Sequence, residues 1–394
     1  MLSALIVNAG NYLYNLIVGR LLGPKEFADA AILITFLLVL SFLAMTFQLV
    51  TAKYVVFFED SVIQSLLNFI VKRSLFFGIL LGIIIIISAG FFQSVFNTST
   101  SSMFVIFGIG VPIYFLMSVN RGAFQGKKQF VKLSITYQAE MISRLIITLL
   151  LLYFLKIESS VLIATGIFIS LLCSLYPFNL KNESVIQPLN DYHRGLLFKF
   201  FLLTAFYECT QIIINNSDIL LVKHYFDNYQ AGLYASLALI GRVVYFIAWM
   251  FVMLLLPAVV NKEKEGLPHG NVLLKYVGYI SLLSVTIVLT SYLFPELVVR
   301  ILFGEAYLEI APLLWQYALA TSIFAISNVF AYYYLSIDEY IPVVITGVLG
   351  LTQVLLIVFF HDSLQQIVIM QIIAMSILLI VQLFFFFYST QKRG

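Results

Sequence analysis

Long apolar runs separated by short polar interruptions fill the chain. Runs near the roughly 20 residues that a helix needs to cross a bilayer occupy 2–22, 30–57, 73–94, 102–120, 131–155 and 160–178. Six more occupy 198–224, 231–258, 273–294, 312–335, 340–360 and 364–388. They are too long for barrel strands and lack a two-residue alternation. The pattern predicts an all-α polytopic membrane protein of about 12 transmembrane helices. The longest polar stretch lies near the middle. It divides the chain into an N-terminal six-helix bundle over 1–180, a cytoplasmic linker over 181–197 and a C-terminal six-helix bundle over 198–394.

A weak internal similarity supports that division. A shift of 203 residues places Asn8 on Gln211, Asn15 on Asp218 and Arg20 on Lys223. Two halves with even helix numbers would share one topology, as in parallel repeats.

Composition agrees with the membrane class. Hydrophobic types make up 62 % of the 394 residues and charged types 10 %, against about 25 % charged in a soluble domain. A net charge of +3 is too small to indicate nucleic acid. Cations gather in alternate connections: Lys72 and Arg73; Arg121, Lys127, Lys128 and Lys132; Lys181, Arg194 and Lys199; Lys262, Lys264 and Lys275. The other connections hold only Lys25, Lys156 and Arg300. The bias predicts a multi-pass protein with both termini cytoplasmic. Cys173 and Cys209 sit in apolar runs and suggest no disulfide. The four histidines are scattered, so no metal site is expected. No Walker sequence is present, so the chain carries no ATPase of its own.

Candidate chemistry comes from polar groups inside the apolar runs. Charge at the bilayer centre costs about 2.5–3.5 kcal/mol on insertion scales, so it persists where it faces water or a partner. Arg144 and Arg242 lie near mid-membrane, Lys53 towards the inner end, and Arg20 and Lys223 towards the outer end. These five form a ladder of candidate substrate-binding cations. Arg242 has no acidic partner on its own helix, whereas Glu140 and Arg144 are four apart and can pair. Asn8, Asn11, Tyr12 and Asn15 share one side of the first helix, and Glu208, Gln211, Asn215 and Asp218 one side of the seventh. Arg242, Tyr245 and Trp249 form a stripe on the eighth. The stripes are expected to line one polar cavity, where guanidinium groups suit phosphate and the amides and aromatics suit sugar. Glu140, Glu208 and Asp218 are candidates for coupling to H+ or Na+. No cofactor is expected.

Four motifs carry a family likeness. They are Asn11-Tyr-Leu-Tyr-Asn with Gly19-Arg-Leu-Leu-Gly-Pro-Lys-Glu-Phe27, Arg121-Gly-Ala-Phe-Gln-Gly126, Asp218-Ile-Leu-Leu-Val-Lys-His-Tyr-Phe with Ala231-Gly-Leu-Tyr-Ala, and Leu302-Phe-Gly-Glu-Ala-Tyr307. In this order they resemble the polysaccharide-export flippases of the multidrug/oligosaccharidyl-lipid/polysaccharide (MOP) superfamily. The resemblance implies a MATE-like fold and alternating access. It also implies a polyprenyl-diphosphate-linked oligosaccharide as cargo, flipped outward across the cell membrane for surface polysaccharide biosynthesis. Membrane lipid, a polysaccharide polymerase and glycosyltransferases would be its partners. Arg20, Lys53 and Arg242 match positions where relatives keep cavity cations. Ala28-Asp29 departs from the usual glycine there. Two alternatives stay open. A drug/cation antiporter would want an acidic cavity, and a membrane glycosyltransferase or polymerase would want a large extramembrane loop. The expectation is a transporter and not an enzyme.

Overall fold

In bilayer hydrocarbon each backbone N–H and C=O must find its partner inside the segment, so these apolar runs can only form helices. The computed structural model describes residues 2–393 apart from 179, 181–187, 266, 269, 338 and 340. Only the backbone is described at 2, 4, 203, 207, 249, 250, 252–254, 256, 257, 260, 261, 263, 264, 335, 343 and 389–393. The helices are α1 (Leu2–Phe57), α2 (Asp60–Ile87), α3 (Ala89–Phe96), α4 (Ser102–Gly126), α5 (Phe130–Phe154), α6 (Ser159–Cys173) and α7 (Asp191–Tyr225). Then come α8 (Asn228–Gly241), α9 (Val243–Lys264), α10 (Gly270–Leu293), α11 (Pro295–Leu302), α12 (Leu314–Ser336), α13 (Ile341–Phe359) and α14 (Leu364–Arg393). A 3-10 helix, Glu305–Leu313, leads into α12, and the described residues contain no strand.

Among the described residues nine helices are long and apolar enough to cross a membrane. The first, Leu5–Phe57, is 53 residues long, which is two span lengths. Counting it as two, and adding the shorter apolar helices Ser159–Cys173 and Val344–Phe359, gives the twelve segments expected. The gap expected between the first two helices is not a loop. Gly23 alone leaves helical geometry, at φ 73° and ψ 172°, and Pro24 restarts the helix at once. A positive φ costs glycine nothing, and proline's fixed φ suits a first helical turn. The eighth segment is also interrupted: α8 ends at Gly241, and Arg242 (φ −75°, ψ −3°) separates it from α9.

The chain forms two compact units, Met1–Ile212 and Ile213–Gly394. Their boundary lies inside α7. Residues 181–187 of the expected linker lie outside the described residues, and α7 already begins at Asp191.

In the first unit α4 packs on α1 and α2, and α5 packs on α6. Phe36 gathers Phe92, Phe96, Phe104 and Phe107 around it at centroid distances of 5.2–6.3 Å. In the second unit α12 packs on α9, α10 and α14. Val244, Ala248, Leu255 and Val259 of α9 meet Val329, Phe330, Tyr333 and Tyr334 of α12 there. Lipid is as apolar as leucine, so helices in membranes associate through close backbone approach at small residues. Gly122 and Gly126 of α4 supply that approach. A β-carbon on Gly122 would stand 2.5 Å from the Gln48 carbonyl oxygen, and one on Gly126 would stand 2.7 Å from that of Ala52. Gly122→Val is therefore expected to destabilise the first unit by about 1–3 kcal/mol. A lower thermal midpoint of the purified protein in detergent would report it.

Candidate functional site

In the first unit the charges converge on one carboxylate. Thr136, Glu140 and Arg144 recur every four residues along α5 and so share a face. Arg121, near the end of α4, reaches that face. Its Nε donates to Thr136 Oγ1 at 3.0 Å, and its Nη2 donates to the Thr136 carbonyl at 3.0 Å and to Glu140 Oε2 at 2.8 Å. The guanidinium lies 3.8 Å from the centroid of the Tyr137 ring. From the other side Arg144 Nη2 donates to Glu140 Oε1. Gln48 extends the network, bonding Gln125 at 3.0 Å and the Tyr137 hydroxyl at 3.1 Å.

Two arginines thus share one glutamate, which leaves the cluster with a net charge of +1. Both are buried, Arg121 at 4 % and Arg144 at 7 % exposure. Arginine does not give up its proton in a protein, so the excess charge is permanent. Arg144 Nε, itself buried, has no hydrogen-bond partner among the described residues.

The second unit holds a different arrangement. Asp218 of α7 is fully buried and takes four donors. Arg242 Nη2 donates to Oδ1 at 2.6 Å. Tyr234 OH at 3.1 Å, Tyr317 OH at 2.7 Å and Gln371 Nε2 at 2.8 Å donate to Oδ2. Arg242 also donates through Nε to Tyr317 OH at 3.0 Å and through Nη1 to Asn216 Oδ1 at 3.5 Å. The break between α8 and α9 belongs to this knot, because Thr321 donates its hydroxyl to the Gly241 carbonyl at 2.8 Å. Asn215, Gln353, Thr321 and Phe324 line the adjoining cleft. Its free volume of about 20 Å³ is room for about one water molecule. Asp218 and Arg242 neutralise each other, so this knot adds no net charge.

The other sequence candidates fall in varied settings. Lys223 is buried at 1 % exposure and its Nζ donates to Asn228 Oδ1. Lys53 is exposed, with Nζ 3.8 Å from the centroid of the Phe200 ring. Arg20 and Asn8 are exposed. Asn11, Tyr12 and Asn15 are half-buried, with Asn15 Nδ2 donating to the Asn11 carbonyl at 2.8 Å. Gln211 is buried and Asn215 half-buried. Tyr245 stacks on Phe324 at 5.3 Å. The side chain of Trp249 lies outside the described residues. Glu208 is half-buried and makes no hydrogen bond or ion pair with any described residue.

Sequence reasoning missed several members of both clusters. Arg121, which the charge bias assigns to a cytoplasmic connection, is instead a buried helical residue. Its signal was Gly122-x-x-x-Gly126, a small-residue spacing that marks a helix packed against a neighbour. Asn216, the neighbour of Asn215, is the asparagine that accepts from Arg242. Tyr234, Tyr317 and Gln371 carried no sequence signal.

The whole architecture has counterparts among solved structures. An inward-facing multidrug resistance MATE family transporter of the MOP superfamily superposes with a TM-score of 0.82 at 13 % identity, covering 98 % of this chain and 96 % of that one. Lipid II flippase MurJ in an inward closed conformation gives 0.74 at 15 % identity, with 97 % and 86 % covered. A Pyrococcus furiosus MOP superfamily transporter, described as having a binding pocket of reverse polarity, gives 0.66 at 13 % identity, with 97 % and 92 % covered. No curated protein matches the sequence. The sequence itself matches the family described as Polysaccharide biosynthesis protein over residues 17–312. With that match and a MOP-transporter fold, the chain is a multi-pass membrane protein that belongs to the polysaccharide biosynthesis protein family.

Proposed function

We propose that this chain flips a polyprenyl-diphosphate-linked oligosaccharide from the cytoplasmic to the outer leaflet of the cell membrane, for cell-surface polysaccharide biosynthesis. The observation that carries the reading is the permanent excess positive charge of Arg121, Glu140 and Arg144. Buried charge without a counter-ion is costly, and an anionic diphosphate is a natural counter-ion. A drug/cation antiporter would place excess carboxylate there. Alternating access, both termini cytoplasmic, glycosyltransferases that build the cargo and a polymerase that consumes it complete the reading.

Ion coupling would fall to another carboxylate. Asp218 is saturated by four donors, whereas Glu208 meets no described partner. Glu208 is the carboxylate suited to take up H+ or Na+. In proteoliposomes Glu208→Gln is expected to abolish the response of transport to an imposed ion gradient; an unchanged response would remove Glu208 from that role.

Depletion of the protein in cells tests the cargo. Lipid-linked oligosaccharide should accumulate on the cytoplasmic face while surface polysaccharide falls. An unchanged pool on both faces would overturn the proposal.

A further inference from the structure

An exposed face of α5 carries a feature that the cluster does not use. Phe130, Val131, Ser134, Ile135, Gln138 and Ala139 line an open, largely apolar groove of about 510 Å³. These residues recur at one-, three- and four-residue intervals, so they form one helix face. Nine residues of rise make it about 13 Å long, close to one leaflet's hydrocarbon depth. Gln138, one of the lining residues, also donates to the carbonyl and hydroxyl oxygens of Ser3 on α1, both at 3.2 Å.

The end of the groove is basic. Lys127, Lys128 and Lys132 are all exposed around the α4–α5 turn, where Lys128 takes a left-handed φ of 55°. Lys132 Nζ lies 5.8 Å from the Phe124 ring centroid, held beside that turn. The side chain of Gln129 does not cap α5, so the first-turn amides also offer partial positive charge there. No acidic residue lies between Phe124 and Ala139 in sequence.

We infer that this groove and its three lysines form a loading site on an exposed face of the first unit for a prenyl diphosphate lipid. The apolar face takes the first isoprene units and the lysines take the diphosphate. Three ammonium groups match the two to three negative charges of a diphosphate better than the single charge of a phosphodiester. Lysine's flexible, strongly hydrated ammonium suits a reversible phosphate contact. The cationic end lies on the face where the charge bias predicts cytoplasm, and a lipid-linked saccharide is assembled on that face. The inference rests on the proposed cargo class.

Photo-crosslinking of the full-length protein in phosphatidylcholine vesicles tests it. Benzoylphenylalanine replaces Ile135 in the groove or, as a control, Ile146, which is likewise exposed on α5 but lies outside the groove. The probe is an alkyne-tagged polyprenyl diphosphate. Capture at Ile135 should exceed capture at Ile146 and fall at least about tenfold in Lys127→Gln/Lys128→Gln/Lys132→Gln, which removes the cations that would hold the diphosphate. Equal capture at both positions, no loss in the triple variant, or displacement by excess phosphatidylglycerol would overturn the site. The two proposals fail separately. Capture without any flipping of saccharide sinks the cargo proposal, whereas flipping without capture at Ile135 sinks the groove alone.

Discussion

Asp218→Ala is expected to lower the stability of the second unit by about 3–5 kcal/mol, the effect of leaving a buried guanidinium without its counter-charge. Arg242 cannot escape by losing its proton, and at 8 % exposure it cannot reach water without moving helices. Tyr317, Tyr234 and Gln371 would lose their shared acceptor at the same time. The recovery of monodisperse protein in mild detergent, and its thermal midpoint, measure the effect. Asp218→Asn combined with Arg242→Gln should recover most of the loss, because two neutral amides can still bond Tyr317 and Asn216. If the single and double variants unfold alike, the charge pair is not what holds the knot together.

Arg144→Gln is expected to behave in the opposite way, leaving the fold intact and removing transport. Glu140 would keep Arg121 at 2.8 Å, so the variant cluster becomes neutral rather than unpaired. Thr136 and Tyr137 would still anchor Arg121. What disappears is the excess positive charge. Transport should fall at least about tenfold if the lost phosphate contact is worth the roughly 1.5–3 kcal/mol of a hydrogen bond to a charged group. Glu140→Gln separates charge from mere presence of the pair. It leaves two buried arginines without a carboxylate and is expected to fail in folding rather than in transport. Normal folding of Glu140→Gln together with normal transport by Arg144→Gln would show that the cluster's charge balance does not matter.

Much of this was legible from the chain because membrane physics simplifies the reading. Run length alone located the twelve segments, since hydrocarbon leaves helices as the backbone's solution. The joints were less legible. Gly23-Pro24 looks like a loop, yet one glycine in an unusual conformation suffices to redirect α1 without interrupting it for more than a residue. Arg242 looked solitary because helical spacing reveals only partners on the same helix. Its partner Asp218 was visible as a charged residue, but the contact that joins α7 to the end of α8 is tertiary information. Arg121 was hidden for the reverse reason. It sits six residues before Lys127, and a cation near a basic turn is most simply explained by topology. The packing of α4 against α5 buries it, as the neighbouring Gly122-x-x-x-Gly126 spacing hints. Tyr234, Tyr317 and Gln371 illustrate a further limit: tyrosine is frequent in this chain, so no single one stands out until a carboxylate is seen to accept from it.

The division of labour between the clusters follows from their charge balance. The second unit's knot is neutral, saturated and tied to the break at Arg242, properties of a structural anchor. The first unit's cluster has charge to spare and a buried donor, Arg144 Nε, left over. That spare charge, on the reading proposed above, serves an anionic lipid-linked saccharide. The most direct test of that reading is flipping in proteoliposomes: a fluorescent polyprenyl-diphosphate-linked saccharide is loaded on both leaflets, and its exposure to an added impermeant glycosidase is followed with time. With the wild-type protein all of the saccharide should become cleavable, while with Arg144→Gln the inner-leaflet half should stay protected. Equal cleavage with the variant, or protection that the wild-type protein does not relieve, would show that the spare charge does not serve this cargo.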